Sequence, residues 1–481
     1  MHNARVGFIA TCLLILTCTA VAADHYTLPA GSGNFSGTDW SNACKGFTGT
    51  CAWASMARGD TFYVGGNGHY AAAGTVSVPT SGTSLITIKG ATASDHGTSV
   101  GWTTAMGVDV NPAYLDTGNC ANYPNCNFVL FTTGYWTIDG QVASDPSNPA
   151  TYGFQVTIPG CTNDIQAFYY GNSPGQTISH VTLRYIAADF SACGSNSITR
   201  TLSDMGTQGL HTNNTWSHFY CSGAQNCISV RAGDTGNFSD SDVIEYGYIV
   251  KSFSDSTHHG TAVSLWSTTN ATFRYNQVLS CMGTGCLIAE LPAFGAKIYG
   301  NVFANNAGGN NGVISATSGD YWQNTSVMNN TFASNAASYA TFAPCLSGDG
   351  QCSKATGNVF QDNLVWNQSC AFNGGGTLSH DYNSYLSCSS GTAPKETNGQ
   401  VATVNPFANA GASDFTLASD GTSDCASTAE VCDGVILNSP YNIDPDGVTR
   451  GADGTWERGA YEYVSGNAGV SPPTDLSASV Q

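Results

Sequence analysis

A short motif recurs through the second half of the chain and limits its fold more than any other feature. It reads Val243-Ile244-Glu245-Tyr246, Thr272-Phe273-Arg274-Tyr275-Asn276, Lys297-Ile298-Tyr299-Gly300-Asn301, Ser326-Val327-Met328-Asn329-Asn330 and Asn358-Val359-Phe360-Gln361-Asp362-Asn363. With Ile244, Phe273, Ile298, Val327 and Phe360 aligned, the steps are 29, 25, 29 and 33 residues. Asn276, Asn301, Asn330 and Asn363 then share one column. Ile249, Val278, Phe303, Phe332 and Val365 share another, which points inward. A period of this length marks a stack of small units, each unable to bury its apolar side alone.

A second strand accompanies each motif: Ile228-Ser229-Val230-Arg231, Val263-Ser264-Leu265-Trp266, Leu287-Ile288-Ala289-Glu290 and Val313-Ile314-Ser315-Ala316. These alternate as half-buried strands do. Several short strands per irregular coil, with Gly and Asn at the corners, predict an all-β chain wound as a parallel β-helix. Stacked coils lie about 4.8 Å apart, so the Asn column becomes a side-chain amide ladder.

Composition agrees with export. Charged residues are only 10% of the chain, and 14 Lys and Arg stand against 33 Asp and Glu, a formal charge of −19. That balance argues against nucleic acid and against an anionic membrane as partner. Residues 1–22 read as a secretory signal: Arg5, an apolar run from Val6 to Val21, and a small-x-small end at Ala20-Val21-Ala22. The expectation is a secreted protein, extracellular or periplasmic, with no membrane span after cleavage and monomeric. Beyond the signal the cysteines fall into near neighbours that suggest local disulfides: Cys44/Cys51, Cys120/Cys126, Cys161/Cys193, Cys221/Cys227, Cys281/Cys286, Cys345/Cys352, Cys370/Cys388 and Cys425/Cys432. Zinc is the alternative, but there is no Cys-x-x-Cys pair and the histidines are not spaced to complete such a site.

Particular segments add a resemblance. Gly59-Asp60-Thr61-Phe62-Tyr63-Val64, Gly68-His69-Tyr70 and Ile86-Thr87-Ile88-Lys89-Gly90 resemble the opening of secreted, pectate-lyase-like right-handed parallel β-helix proteins. Trp136-Thr137-Ile138-Asp139-Gly140 is similar to one of their early coils. Asn405-Pro406-Phe407, and Gly447-Val448-Thr449-Arg450 through Arg458-Gly459-Ala460-Tyr461-Glu462-Tyr463, resemble their closing segment. The resemblance implies a right-handed parallel β-helix over 59–463, an N-terminal cap over 23–58 and a short flexible tail over 464–481. It does not imply one activity, because this architecture carries lyases, hydrolases, esterases and non-catalytic surface proteins.

The alignment places Arg231, Trp266 and Glu290 at the same outward position on successive strands. An aromatic between two charges suits a sugar ring on Trp266 with polar contacts on either side. An exposed ladder with Arg stacked on Trp is the structural alternative. The neighbouring loop, Lys251 to Gly260, carries Asp255, His258 and His259. His258 or His259, oriented by Asp255, is a candidate general base, and Lys251 a candidate base or carboxylate partner. A solvated polar loop explains the same residues without chemistry. Arg274 is a further substrate-contact candidate, although its alignment with Glu245 also suits an inter-coil ion pair. Ca²⁺ is an admissible ligand of so many Asp residues, but no Ca²⁺-loop signature is present and no metal site is assigned.

An extracellular polysaccharide is the expected partner. The first expectation is β-elimination of a uronic-acid polymer by His258, His259 or Lys251, with Arg231 and Lys251, or Ca²⁺, screening the acidic surface. The Arg-x-Pro and Arg-His-Gly signatures of β-helix lyases are absent, as is the Asp-Asp pair of polygalacturonases. The alternatives are a glycoside hydrolase using Glu290 with Asp255, and a β-helix that binds glycan without cleaving it.

Overall fold

The inward column runs straight up the molecule. Ile249 pairs with Val278, Val278 with Phe303, Phe303 with Phe332 and Phe332 with Val365, all in parallel register. The ring centroids of Phe303 and Phe332 lie 5.2 Å apart and nearly coplanar in orientation. The chain is a right-handed parallel β-helix. The computed structural model describes residues 22–463, except 119–125, 159, 162–163, 172, 194–198, 233–237, 253–259, 308–311, 337–340, 373, 419–430 and 453. The expected tail and all of the expected signal but Ala22 lie outside these residues.

The central coils each visit three sheets. In one turn, Val243–Glu245 and Tyr248–Val250 belong to the first sheet, Thr261–Trp266 to the second and Thr268–Thr269 to the third. The next turn re-enters the first sheet at Thr272–Arg274. No α-helix forms among the described residues. The one antiparallel pair of strands described, Phe407–Asn409 with Asp414–Leu417, lies past the last coil. The segment expected as a cap contributes a rung of its own, for Asp24–Leu28 pairs in parallel with Thr61–Val64.

The amide ladder stands at the corner between the two halves of the first sheet. Asn276 donates Nδ2–H to Asn301 Oδ1 at 3.0 Å, Asn301 to Asn330 at 2.9 Å, and Asn330 to Asn363 at 3.0 Å. Each oxygen also accepts the backbone N–H of the coil before it, as from Asn301 N to Asn330 Oδ1 at 3.0 Å. The ladder goes one rung further than its motif, to Asn383, and ends on Glu396, which accepts from Asn383 Nδ2 at 2.8 Å. The residue before each rung turns the corner with positive φ: Tyr275, Gly300, Asn329, Asp362 and Tyr382. At Gly300 a Cβ would also strike the Tyr275 ring, so glycine is required there. A second ladder, Asn306 to Asn335 to Gln368, braces the far end of the same half-sheet.

Disulfides join Cys44–Cys51, Cys161–Cys193, Cys221–Cys227, Cys345–Cys352 and Cys370–Cys388. Cys126 and Cys432 are disulfide-bonded too, and their expected partners Cys120 and Cys425 lie outside the described residues. The expected Cys281–Cys286 bond is corrected. Both are buried free thiols, held by hydrogen bonds in its place: Cys281 Sγ donates to the Gly285 carbonyl at 3.2 Å, and the two thiols contact each other.

Asn330→Ala removes an acceptor from Asn301 N and donors to the Ile298 carbonyl and Asn363. Its expected cost is about 3 kcal/mol, because buried partners are left unsatisfied. Urea unfolding followed by circular dichroism measures it.

Candidate functional site

The outer face of the second sheet carries the strongest cluster of chemistry. Its strands Asn226–Arg231, Thr261–Trp266 and Gly285–Ala289 lie side by side, with Arg231 opposite Trp266. Glu290 follows directly, its N–H bonded to the Leu265 carbonyl at 2.8 Å. Alternation puts Ser229 and Ser264 on this same face, two residues before Arg231 and Trp266. Both serines are buried. Small residues there let the larger side chains at the strand ends fold back over them.

A polar chain results. Arg231 Nε donates to Ser229 Oγ at 2.8 Å and lies 3.4 Å from Asp204 Oδ1. Ser229 Oγ and Ser264 Oγ are 3.2 Å apart, and Trp266 Nε1 donates to Ser264 Oγ at 3.1 Å. The Arg231 guanidinium sits over the indole, 4.6 Å from its centroid. Arg231 therefore covers one side of Trp266, the side away from the Glu290 coil. The stacked Arg–Trp arrangement weighed from sequence forms here, yet both residues stay partly exposed.

The carboxyl groups are the unusual part. Glu290 is held up to about 7, first by burial, which disfavours its charged form, and further by the fields of Asp320 and Asp204; Arg231 and a Ser264 contact oppose the rise. Its Oε1 is shielded from solvent, and no donor among the described residues reaches it. Asp204 is fully buried and raised to about 6, again by burial, against the pull of Arg231. Asp320 is raised as well, by burial first, and accepts from Thr317 Oγ1 at 2.6 Å. Thr317 N bonds to the Ala289 carbonyl, so the Thr317–Asp320 turn stacks on the coil that bears Glu290.

The expected site residues are thus partly gathered. Arg231, Trp266 and Glu290 meet on one face. Asp255, His258 and His259 lie outside the described residues. Lys251 is exposed, in left-handed backbone where the chain leaves Tyr248–Val250. Arg274 stands on the first sheet in the inter-coil ion pair that its alignment with Glu245 suited, donating from Nε to Glu245 Oε2 at 2.7 Å and from Nη1 to Tyr299 Oη at 3.0 Å. Those partners hold its guanidinium on the first sheet. Among the described residues no cluster of three His, Cys, Asp or Glu side chains is arranged to hold a metal ion. Asp204, Asp320, Ser229 and Ser264 were not legible as site residues. The Ser-x-Arg and Ser-x-Trp spacing of the aligned strands was the available signal for the serines.

No protein-family model matches the chain, and no curated protein sequence matches it. Solved structures similar in fold include a GH136 lacto-N-biosidase from Eubacterium ramulus, at 11% identity and TM-score 0.48, covering 79% of this chain and 68% of that one. A PL6 family polysaccharide lyase from Pseudopedobacter saltans has 12% identity and TM-score 0.34, covering 83% and 96%. The pectate lyase Pel9A has 13% identity and TM-score 0.30, covering 92% and 97%. These likenesses concern architecture alone, and the coil arrangement stands on the strand registers themselves.

A carboxyl raised from 4.5 to about 7 binds its proton more tightly folded than unfolded. Its proton-linked stabilisation is therefore full below about pH 4.5 and is lost as pH rises through 7. Glu290→Gln removes that loss. The variant is expected to gain on the order of 1–3 kcal/mol over wild type at pH 8 and little at pH 4. Denaturant titrations at the two pH values check it.

Proposed function

We propose that this chain is a glycan-cleaving enzyme whose site is the outer face of the second sheet, with Glu290 as proton donor. The observation that carries this reading is the Glu290 carboxyl: half-protonated near neutral pH, one oxygen without a partner among the described residues, on the side of Trp266 that Arg231 leaves uncovered. A sugar ring stacked on Trp266 brings its glycosidic oxygen toward that carboxyl. Asp320, on the adjoining coil, is the second carboxylate that glycoside hydrolysis requires, as water activator or nucleophile. Asp204 is too deeply buried to touch substrate. It positions Arg231, which in turn fixes the indole.

The same charges point to the substrate. Arg231 is already compensated by Asp204, and Glu290 and Asp320 add negative charge. An uncharged glycan suits this site better than a polyuronate, which the surface would repel. Hydrolysis is therefore the reading favoured here. β-Elimination of a uronate is the second reading. It rests on Arg231 beside the platform and on Lys251 with His258 and His259 as the base-bearing loop.

The test is a panel of neutral and acidic polysaccharides, with and without Ca²⁺, read by reducing ends and by ultraviolet absorbance of unsaturated uronates. Reducing ends without absorbance are expected. Both signals together would establish elimination, and silence across the panel would overturn cleavage. On a cleaved substrate, Glu290→Gln is expected to lower kcat about 10²–10⁴-fold. Trp266→Ala should chiefly raise KM. The pH profile of kcat/KM should be bell-shaped, its alkaline limb near pH 7 as Glu290 loses its proton and its acid limb set by Asp320. Glu290→Gln should abolish the alkaline limb of any residual activity.

A further inference from the structure

We infer that Phe238 and Phe294, backed by the buried Tyr321, form a second sugar-binding subsite, which takes the part of the glycan chain that extends past Glu290 onto the third sheet. The inference rests on the function proposed for Glu290 and Trp266, and it names what that site selects: an oligosaccharide instead of a single sugar.

Phe294 is out of place in its column. Its outward position on the third sheet is Thr212, Asp240, Thr269, Phe294 and Gln323 on successive coils, so a single aromatic interrupts a polar row. The inward side of that sheet is already filled by Ser239, Thr268, Ala293 and Trp322, all buried. Phe294 is not needed there, and it remains partly exposed. Two further rings meet it edge to face. Phe238 lies 5.6 Å away at 75°, and Tyr321 lies 5.9 Å away at 87°. Tyr321 is backed by Cys345 of the Cys345–Cys352 disulfide and by Ala355, and Lys354 stands 5.7 Å over its ring. The result is a braced aromatic wall built from three of four successive coils.

Its position commits it to one occupant. Phe294 follows Glu290 by four residues, and Tyr321 directly follows Asp320. The wall is thus covalently continuous with both carboxyl groups, and Glu290 is within about 13 Å of Phe294 even with the backbone extended. A chain bound with one ring on Trp266 and its scissile oxygen at Glu290 meets these aromatics next. Aromatic faces take the apolar C–H sides of sugar rings, while Asp240, Thr269 and Gln323 offer polar contacts around them.

The experiment uses the full mature chain and a graded series of oligosaccharides of a glycan that the wild type cleaves. Phe294→Ala is expected to lower kcat/KM for the longest oligomers about tenfold, through KM, and to leave the shortest cleaved oligomer unchanged. Phe294→Leu keeps the apolar cover of the Tyr321 cluster. It should show the same length-selective loss with an unchanged melting temperature, and Phe294→Tyr should restore wild-type kinetics. Equal losses at every length, or none, would overturn the subsite while leaving the Glu290 reading intact. A wild-type chain that cleaves no member of the panel overturns both.

Discussion

Asparagine amides at the same corner of five successive coils, Asn276 to Asn383, bond to the coils on either side, and this ladder fixes how those coils stack. Asn301 shows the arrangement: Nδ2 donates to the Phe273 carbonyl at 2.9 Å and to Asn330 Oδ1 at 2.9 Å, while its own oxygen accepts from Asn276. Parallel strands alone would allow one coil to slip against the next. A shielded amide that satisfies three groups makes any slip cost several hydrogen bonds at once. Glu396 closes the ladder, where its carboxylate also accepts from Tyr385 Oη at 2.7 Å and lies 3.0 Å from His380 Nδ1.

Fixed stacking is what allows a site to be assembled from residues far apart in sequence. Arg231, Trp266, Glu290 and Asp320 come from four consecutive coils, each supplying one group to the same strip of surface. Ser229 and Ser264 hold the strip level, because their small side chains let Arg231 and Trp266 lie down over the sheet. Burial then does the chemical tuning. Glu290 loses water on one side and faces other carboxylates on another, which moves its proton affinity to neutral pH. A carboxyl kept in that state is costly to folding and useful to catalysis.

The architecture was legible because it is written as a period. The columns through Ile249 and Asn276 needed only alignment, and the register of Arg231 with Trp266 followed from it. Three things were not legible. Asp204 lies on Arg200–Met205, a strand with Arg, Thr, Ser and Asp where an apolar rhythm would have announced a coil. Asp320 reaches the site through a turn, and turns do not share the strand period. The Cys281–Cys286 pairing failed because spacing constrains which thiols can approach each other, not whether they bond. Arg274 was assigned correctly to its column, but the column faces Glu245 and Tyr299 on another sheet.

The most direct test of the account is cleavage in heavy-oxygen water, with the products weighed by mass spectrometry. Hydrolysis through Glu290 and Asp320 places one solvent oxygen at each new reducing end. The account predicts labelled, saturated products from an uncharged glycan with the wild-type chain, and none at comparable rate from Glu290→Gln. Unlabelled products ending in an unsaturated uronate, formed equally well by Glu290→Gln, would contradict it.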